Sequence, residues 1–446
     1  MHGPDASAGS LAGLLTPEGQ TLLDELRDHD PADELALATR LRRTHPAPLV
    51  SAALGQARLR QRAAAKFGAD AERMYFTPDG VEQATRTAVA AHRAARFAAL
   101  GVTRIADLCC GVGGDAVALA RAGIAVLAVD RDPATAAAAR ANAAALGLAE
   151  LVDVRCAEVG EVDISEYDAV FIDPARRVVG GAPARRGGGG APAGRGGGPG
   201  GGGRGRVFDP EAYSPPLSWA VEVARRVSHA ALKVAPGIPH EAVPDDAEAE
   251  WVSDGGDVKE AVLWFGTVPD AVSLDAVSPD AVSLDAVSSG AVSPGARRAT
   301  ILPAGVTLTG RGLPDPVAGP VGRYLYEPDG AVVRAHLVAE VAAQVGGRLL
   351  DPTIAYVAAD GLVPTPYATA YEITDSLPFS VKKLRALLRE RGVGSVTVKK
   401  RGSAVEPEEL RRMLKLSGPP AASCTVFLTR VAGAPTVLLG RPAPAT

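Results

Sequence analysis

Asp107-Leu108-Cys109-Cys110-Gly111-Val112-Gly113-Gly114-Asp115 decides how this chain is read. An apolar run, Ile105-Ala106, leads into it, and Ala116-Val117-Ala118-Leu119-Ala120 follows with helical character. Strand, glycine turn and helix start make the geometry of a nucleotide-type site, because glycines let the backbone approach a ligand with no Cβ between them. The next apolar run, Ala125-Val126-Leu127-Ala128-Val129-Asp130, ends in a carboxylate that can accept hydrogen bonds from both hydroxyls of a ribose.

Gly111-x-Gly113-x-x-Ala116 also fits the dinucleotide fingerprint, with Asp130 at about the expected ~20-residue spacing. Three features favour S-adenosylmethionine instead. Asp107, four residues before the first glycine, suits the cationic amino group of a methionine moiety and would repel a pyrophosphate. Asp115 places an acid at the helix start, where a phosphate would otherwise sit. Asp168-Ala169-Val170-Phe171-Ile172-Asp173-Pro174-Ala175-Arg176 reads as a fourth strand ending in an Asp-Pro turn. The run from Asp107 to Asp173 resembles the class I S-adenosylmethionine-dependent methyltransferases, and its Cys-Gly-Val-Gly-Gly loop is similar to that of trimethylguanosine synthases.

The resemblance implies an α/β, Rossmann-like class I methyltransferase sheet closed by an antiparallel hairpin, with S-adenosyl-L-methionine as cofactor. The expected cofactor set is Asp107, Cys109, Gly111, Gly113, Gly114 and Asp130. Glu158, past the third strand, is the candidate acceptor for the adenine amino group. Trimethylguanosine synthases carry a similar Thr-Pro segment before their glycine loop, which extends the set to Thr77, with Phe76 and Gln83 beside it. An ordinary helix cap explains Thr77-Pro78 as well. Asp173 and Pro174 are expected on the reacting side. The turn lacks the aromatic fourth residue of amine-methylating relatives, which either argues against amine chemistry or moves a stacking role to Phe208 or Tyr213. No cysteine lies near the Asp-Pro turn to support a covalent mechanism, and Cys156 reads as a small core residue.

The 446 residues and 47% apolar content suffice for several cores. Four cysteines without a C-x-x-C pair, and no histidine cluster, argue against a structural metal or a disulfide framework. Absence of a signal-like start and of any long apolar run gives the expectation of a cytoplasmic protein without a membrane span.

The organisation expected is a helical N-terminal region over 1–100, a methyltransferase domain over 101–268, a low-complexity linker over 269–295, a connecting region over 296–375 and a C-terminal domain over 376–446. In the N-terminal region Thr16 caps a helix, and Leu22, Leu23, Leu26, Leu35, Leu37, Leu41, Leu54 and Leu59 form its apolar stripe. The Gly/Arg/Pro tract 180–206 and the Asp-Ala-Val-Ser repeats read as flexible inserts. A helix is expected over 331–345.

Residues 376–415 carry a net charge of +7, leaving −11 on the rest of the chain. The two helices and three strands expected from 376 onward resemble the THUMP-like domain fused to some methyltransferases, which implies binding of structured RNA, chiefly tRNA. Lys382, Lys383, Lys399, Lys400 and Arg401 are the expected contacts. Together these readings describe a methyltransferase acting on a base in structured RNA, tRNA or rRNA. A non-catalytic cofactor- or RNA-binding module and an NAD-dependent oxidoreductase are the alternatives.

Overall fold

The computed structural model describes residues 11–176, 209–266, 292–416 and 422–444. The tract 180–206, Phe208 and most of the Asp-Ala-Val-Ser repeats lie outside them. The chain divides into two units, one of Met1–Ala247 with Val262–Val292 and one of Glu248–Ala261 with Ser293–Thr446.

The first unit opens with helices α1 (Pro17–Glu25), α2 (Glu34–Leu41) and α3 (Ala47–Phe67). Thr16 caps α1, accepting from the Gly19 N–H at 3.1 Å, with Pro17 at the first helical position. Leu22, Leu23, Leu26, Leu41 and Leu54 are buried in one cluster against which Leu37 and Leu59 pack. Leu35 departs from the expected stripe. It sits at the start of α2, 82% exposed, on the face away from that cluster.

Helices α4 (Pro78–Gln83) and α5 (Thr87–Ala99) lead into five parallel strands: β1 (Arg104–Leu108), β2 (Ala125–Asp130), β3 (Val152–Cys156), β4 (Ala169–Ile172) and β5 (His229–Val234). They lie in the order β3-β2-β1-β4-β5. Helices α6 (Gly114–Arg121), α7 (Pro133–Ala145) and α8 (Leu217–Ala224) separate them along the chain. Strand order reverses between β1 and β4, so the loops leaving those two strands open a crevice at their carboxyl ends. Strands β1, β2, β4 and β5 are buried along most of their length, as a parallel sheet covered on both faces requires, whereas β3 at the edge alternates buried Val152 and Val154 with exposed Asp153 and Arg155.

In the second unit, Glu248–Asp254 turns through Gly255 and Gly256, both at positive φ (63° and 85°), into the strand that begins at Asp257. Two such residues are what a two-residue hairpin of type I′ demands. Glu248–Asp254 pairs in parallel with Arg297–Leu302, which pairs antiparallel with Val306–Thr309. The region expected as a connector also supplies Tyr324–Pro328, Arg348–Asp351, Ile354–Ala359 and Ala368–Pro378 to a seven-stranded sheet. Ser395–Lys400, Ser423–Val431 and Ala434–Pro442 complete that sheet. Residue 376 therefore falls inside a strand paired with Ala434–Pro442.

The single helix expected over 331–345 is two, α9 (Gly330–Arg334) and α10 (Val338–Val345). The break lies at His336, at φ 58°, where the Leu337 N–H closes back on the Val332 carbonyl at 2.9 Å. Helices α11 (Val381–Glu390) and α12 (Pro407–Leu414) bury Leu384, Leu388, Leu410 and Leu414 against Val398, Val426 and Val437.

Candidate active site

The turn after β1 is built by conformations few side chains adopt. Cys109, Gly111 and Gly113 have φ of 69°, 56° and 83°. A Cβ on Gly113 would stand 3.3 Å from the Ala139 side chain of α7, so the turn packs directly on that helix. Cys109 holds a left-handed conformation without being glycine, a strain of about 1–3 kcal/mol that the fold must offset. Burial pushes the thiols of Cys109 and Cys110 up in pKa, with nearby carboxylates adding to it, which keeps both protonated and non-nucleophilic at neutral pH.

Two elements hold the turn in place. Asn142, buried on α7, donates to the Val112 carbonyl (2.8 Å) and the Tyr75 carbonyl (3.0 Å) and accepts from the Tyr75 N–H (2.6 Å). It thereby ties the extended Met74–Phe76 segment to the glycine turn. Thr77 caps α4 through the Gly80 N–H at 3.0 Å, and a Cβ on Gly80 would meet Val112 Cγ1 at 2.5 Å. The Thr-Pro segment thus borders the turn, with the Thr77 hydroxyl serving as a cap. Phe76 is buried beside Phe67, and Gln83 is exposed.

Asp130 ends β2 and braces the turn from the other side. Its carboxylate accepts from the Gly111 N–H (3.0 Å) and the Asp132 N–H (2.9 Å). Burial raises its pKa, opposed by those two backbone bonds. A carboxylate has about four acceptor sites, so two remain for a ribose. Glu158 is exposed past β3, on the same edge, where the Ala157 N–H bonds the Asp130 carbonyl at 3.2 Å. Cys156, expected in the core, is exposed: β3 is an edge strand and its carboxyl end leaves the sheet.

Asp107 is fully buried, and neither of its oxygens has a hydrogen-bond partner among the described residues. Burial pushes its carboxyl well above the ordinary range, reinforced by Asp115 and Asp173 and opposed by Arg93. Arg93, 2% exposed on α5, pairs with Asp115 at the start of α6 through Nε (3.2 Å) and Nη2 (3.1 Å) and lies over the Phe171 ring at 4.3 Å. An unpartnered buried acid beside an open glycine turn fits a ligand that brings its own cation.

At the end of β4, Asp173 accepts from Lys233 Nζ at 2.6 Å, and Lys233, buried at the end of β5, also donates to Thr85 Oγ1 at 2.8 Å. Ala175 and Ser214 exchange two backbone hydrogen bonds, of 2.9 and 3.0 Å, in an antiparallel bridge that sets Tyr213 opposite Arg176, two residues past the buried Pro174. Tyr213 is 3% exposed and its hydroxyl has no partner among the described residues. Sequence reasoning placed Asp173, Pro174 and Tyr213 here but missed Lys233, Thr85 and Arg93.

A carboxyl-end crevice with a glycine turn, an acid closing the second strand and an orphaned buried acid fits a nucleoside-cofactor enzyme of the Rossmann-like class. A methyltransferase-domain model matches residues 105–177, a THUMP domain-like model matches 368–442, and a domain of unknown function matches 7–63. Two Mycobacterium tuberculosis proteins, from strains CDC 1551 and H37Rv, are named as uncharacterised S-adenosylmethionine-dependent methyltransferases. Each is 32% identical over 382 residues, spanning 84% of this chain and 90% of its own. A Porphyromonas gingivalis W83 crystal structure named as a candidate methyltransferase shares the fold. Its TM-score is 0.67 at 20% identity, over 93% of this chain and all of that one.

The chain belongs to the S-adenosylmethionine-dependent methyltransferases. Its cofactor is S-adenosylmethionine, and the NAD and non-catalytic readings fall away. Asp107, the Gly111–Gly114 turn and Asp130 are the residues we propose would hold it, and when bound the group supplies an electrophilic methyl on a sulfonium. Asp130→Ala should weaken donor binding at least tenfold, about 1.4 kcal/mol. It should also lower the melting midpoint, since the Gly111 N–H loses its acceptor. Calorimetry and thermal melting check both, and unchanged affinity would remove Asp130 from the pocket.

Proposed function

We propose that this enzyme methylates a base in structured RNA, tRNA or rRNA, with the Asp173-Pro174 turn holding the reacting group and Tyr213 forming a wall of its pocket. The enzyme's contribution is alignment: Lys233 fixes one oxygen of Asp173 and leaves the other for the substrate. Support for RNA comes from the distribution of free cations. Lys382, Lys383, Arg389, Arg412 and Lys415 are exposed on and just after α11 and α12, and no ion pair engages them among the described residues. The two helices pack on each other, so their charges share one region of surface.

The Lys399-Lys400-Arg401 turn is a poorer candidate than its composition suggests. Lys399 pairs with Glu327, and Lys400 with Glu406 at 2.5 Å. Arg401 donates to the Ala355 and Pro328 carbonyls at 2.9 and 3.2 Å and lies over the Tyr356 ring. All three are half-buried.

Two multiple variants separate these surfaces. Alanine at Lys382, Lys383, Arg389, Arg412 and Lys415 should weaken RNA binding and flatten its salt dependence by up to ~0.7–0.9 log units for each phosphate no longer neutralised. Alanine at Lys399, Lys400 and Arg401 should chiefly lower stability. RNA titrations at several salt concentrations, with melting curves, test this. Equal RNA binding by the wild type and the helix-face variant would contradict it. Truncation after residue 375 is unsuitable, because it cuts the strand Ala368–Pro378.

A further inference from the structure

The unpartnered state of Asp107 has a consequence for how the methyl donor is taken up. Every neighbouring element brings charge or a titratable group toward it. The turn supplies Cys109 and Cys110, α5 supplies Arg93, and α6 supplies Asp115. Strand β2 ends in Asp130, and Asp173 follows β4 with Lys233 of β5 on it. Both cations already face other carboxylates, Arg93 on Asp115 and Lys233 on Asp173, so neither reaches Asp107 with a hydrogen bond. An ionised carboxylate fully buried with no donor is strongly disfavoured against its neutral form.

We propose that Asp107 carries a proton in the free enzyme and releases it when the ammonium group of the methyl donor docks, so that cofactor capture is coupled to the loss of one proton and selects for ligands bearing that amino group. The Asp107 O–H bond breaks, the proton passes to buffer, and an ammonium N–H donates to the carboxylate left behind. No covalent bond to the ligand forms. The inference rests on membership of the methyltransferase family and is independent of the RNA substrate.

The same proton sets a pH dependence in the free protein. A carboxyl whose native pKa is raised binds its proton more tightly folded than unfolded. Its contribution to stability is full below the ordinary carboxyl value of about 4 and is lost as pH rises through the raised native value. Asp107→Asn, which cannot ionise, should therefore melt higher than wild type, by a margin that widens toward neutral pH.

The test is calorimetry of the full chain at neutral pH in phosphate and in Tris, whose ionisation enthalpies differ. The probes are S-adenosylhomocysteine, which carries the amino group, and 5′-methylthioadenosine, which has the ribose and adenine but not the amino acid. Wild type should release about one proton per S-adenosylhomocysteine and close to none with methylthioadenosine. Asp107→Asn should release close to none with either, bind S-adenosylhomocysteine roughly tenfold or more weaker, and keep its methylthioadenosine affinity. No release by wild type, or equal release with the two probes, overturns the proposal. If Asp107→Asn binds too weakly for calorimetry, the wild-type affinity for S-adenosylhomocysteine decides. It should rise with pH toward neutrality while that for methylthioadenosine stays level, and equal slopes contradict the coupling.

Discussion

Asp173→Ala and Asp173→Asn are both expected to lower methyl transfer by about 10³-fold or more while leaving donor affinity within a few-fold. In the role proposed for Asp173, the interaction that each variant removes strengthens in the transition state, so kcat should carry the effect. The pair of variants separates chemistry from folding. Alanine leaves the Lys233 ammonium buried without its anion, whereas asparagine keeps an oxygen acceptor for it and removes only the charge. Single-turnover rates and calorimetric donor affinities, read beside melting curves, check the expectation. Turnover near wild type in the folded asparagine variant would move the reacting group elsewhere, with Tyr213 the next candidate.

The second large effect is on stability. Arg93→Met should cost about 3–5 kcal/mol, because it removes one partner of a buried ion pair and leaves Asp115 uncompensated near Asp107, which is already unpartnered. Denaturant melts of the free protein measure it. A double variant with Asp115→Leu should recover much of the loss, since replacing both partners by apolar groups avoids the stranded charge. A cost below about 1 kcal/mol for Arg93→Met would mean that the pair is solvated and that the carboxylates there are not under strong burial.

What the sequence revealed follows from how far apart the cooperating residues lie. The strand, glycine turn and helix from Arg104 to Arg121 are local, and so is the acid that ends β2. Hydropathy and glycine spacing suffice for these: the expected sheet forms, with Asp107 and Asp130 near the carboxyl ends of its first two strands. Thr16 and Thr77 were legible as caps because a cap needs only its own next three residues. Lys233 was not legible. Its partners Asp173 and Thr85 are 60 and 148 residues away, and a lysine in Ala-Leu-Lys-Val carries no mark of burial. Arg93 and Asp115 meet across 22 residues and two elements.

The partner of the basic turn was hidden for the same reason, since Glu327, which pairs with Lys399, lies 72 residues earlier. Amphipathic spacing in α11 and α12 was the more reliable signal. Leu384, Leu388, Leu410 and Leu414 fix the buried faces and leave the lysines and arginines outside. The strands between 296 and 375 were overlooked because they are short and pair with partners on either side of residue 376, which no local pattern records.

The central claim, a donor-dependent enzyme acting on structured RNA, is tested most directly by methyl incorporation. The purified full chain is incubated with methyl-labelled S-adenosylmethionine and, in separate reactions, with total RNA and with total protein, each beside the Asp173→Asn variant. The RNA is then digested to nucleosides. Label is expected in a modified base of the RNA, absent with the variant, and none above background in protein. Label confined to protein, or label in RNA made equally by Asp173→Asn, would contradict it.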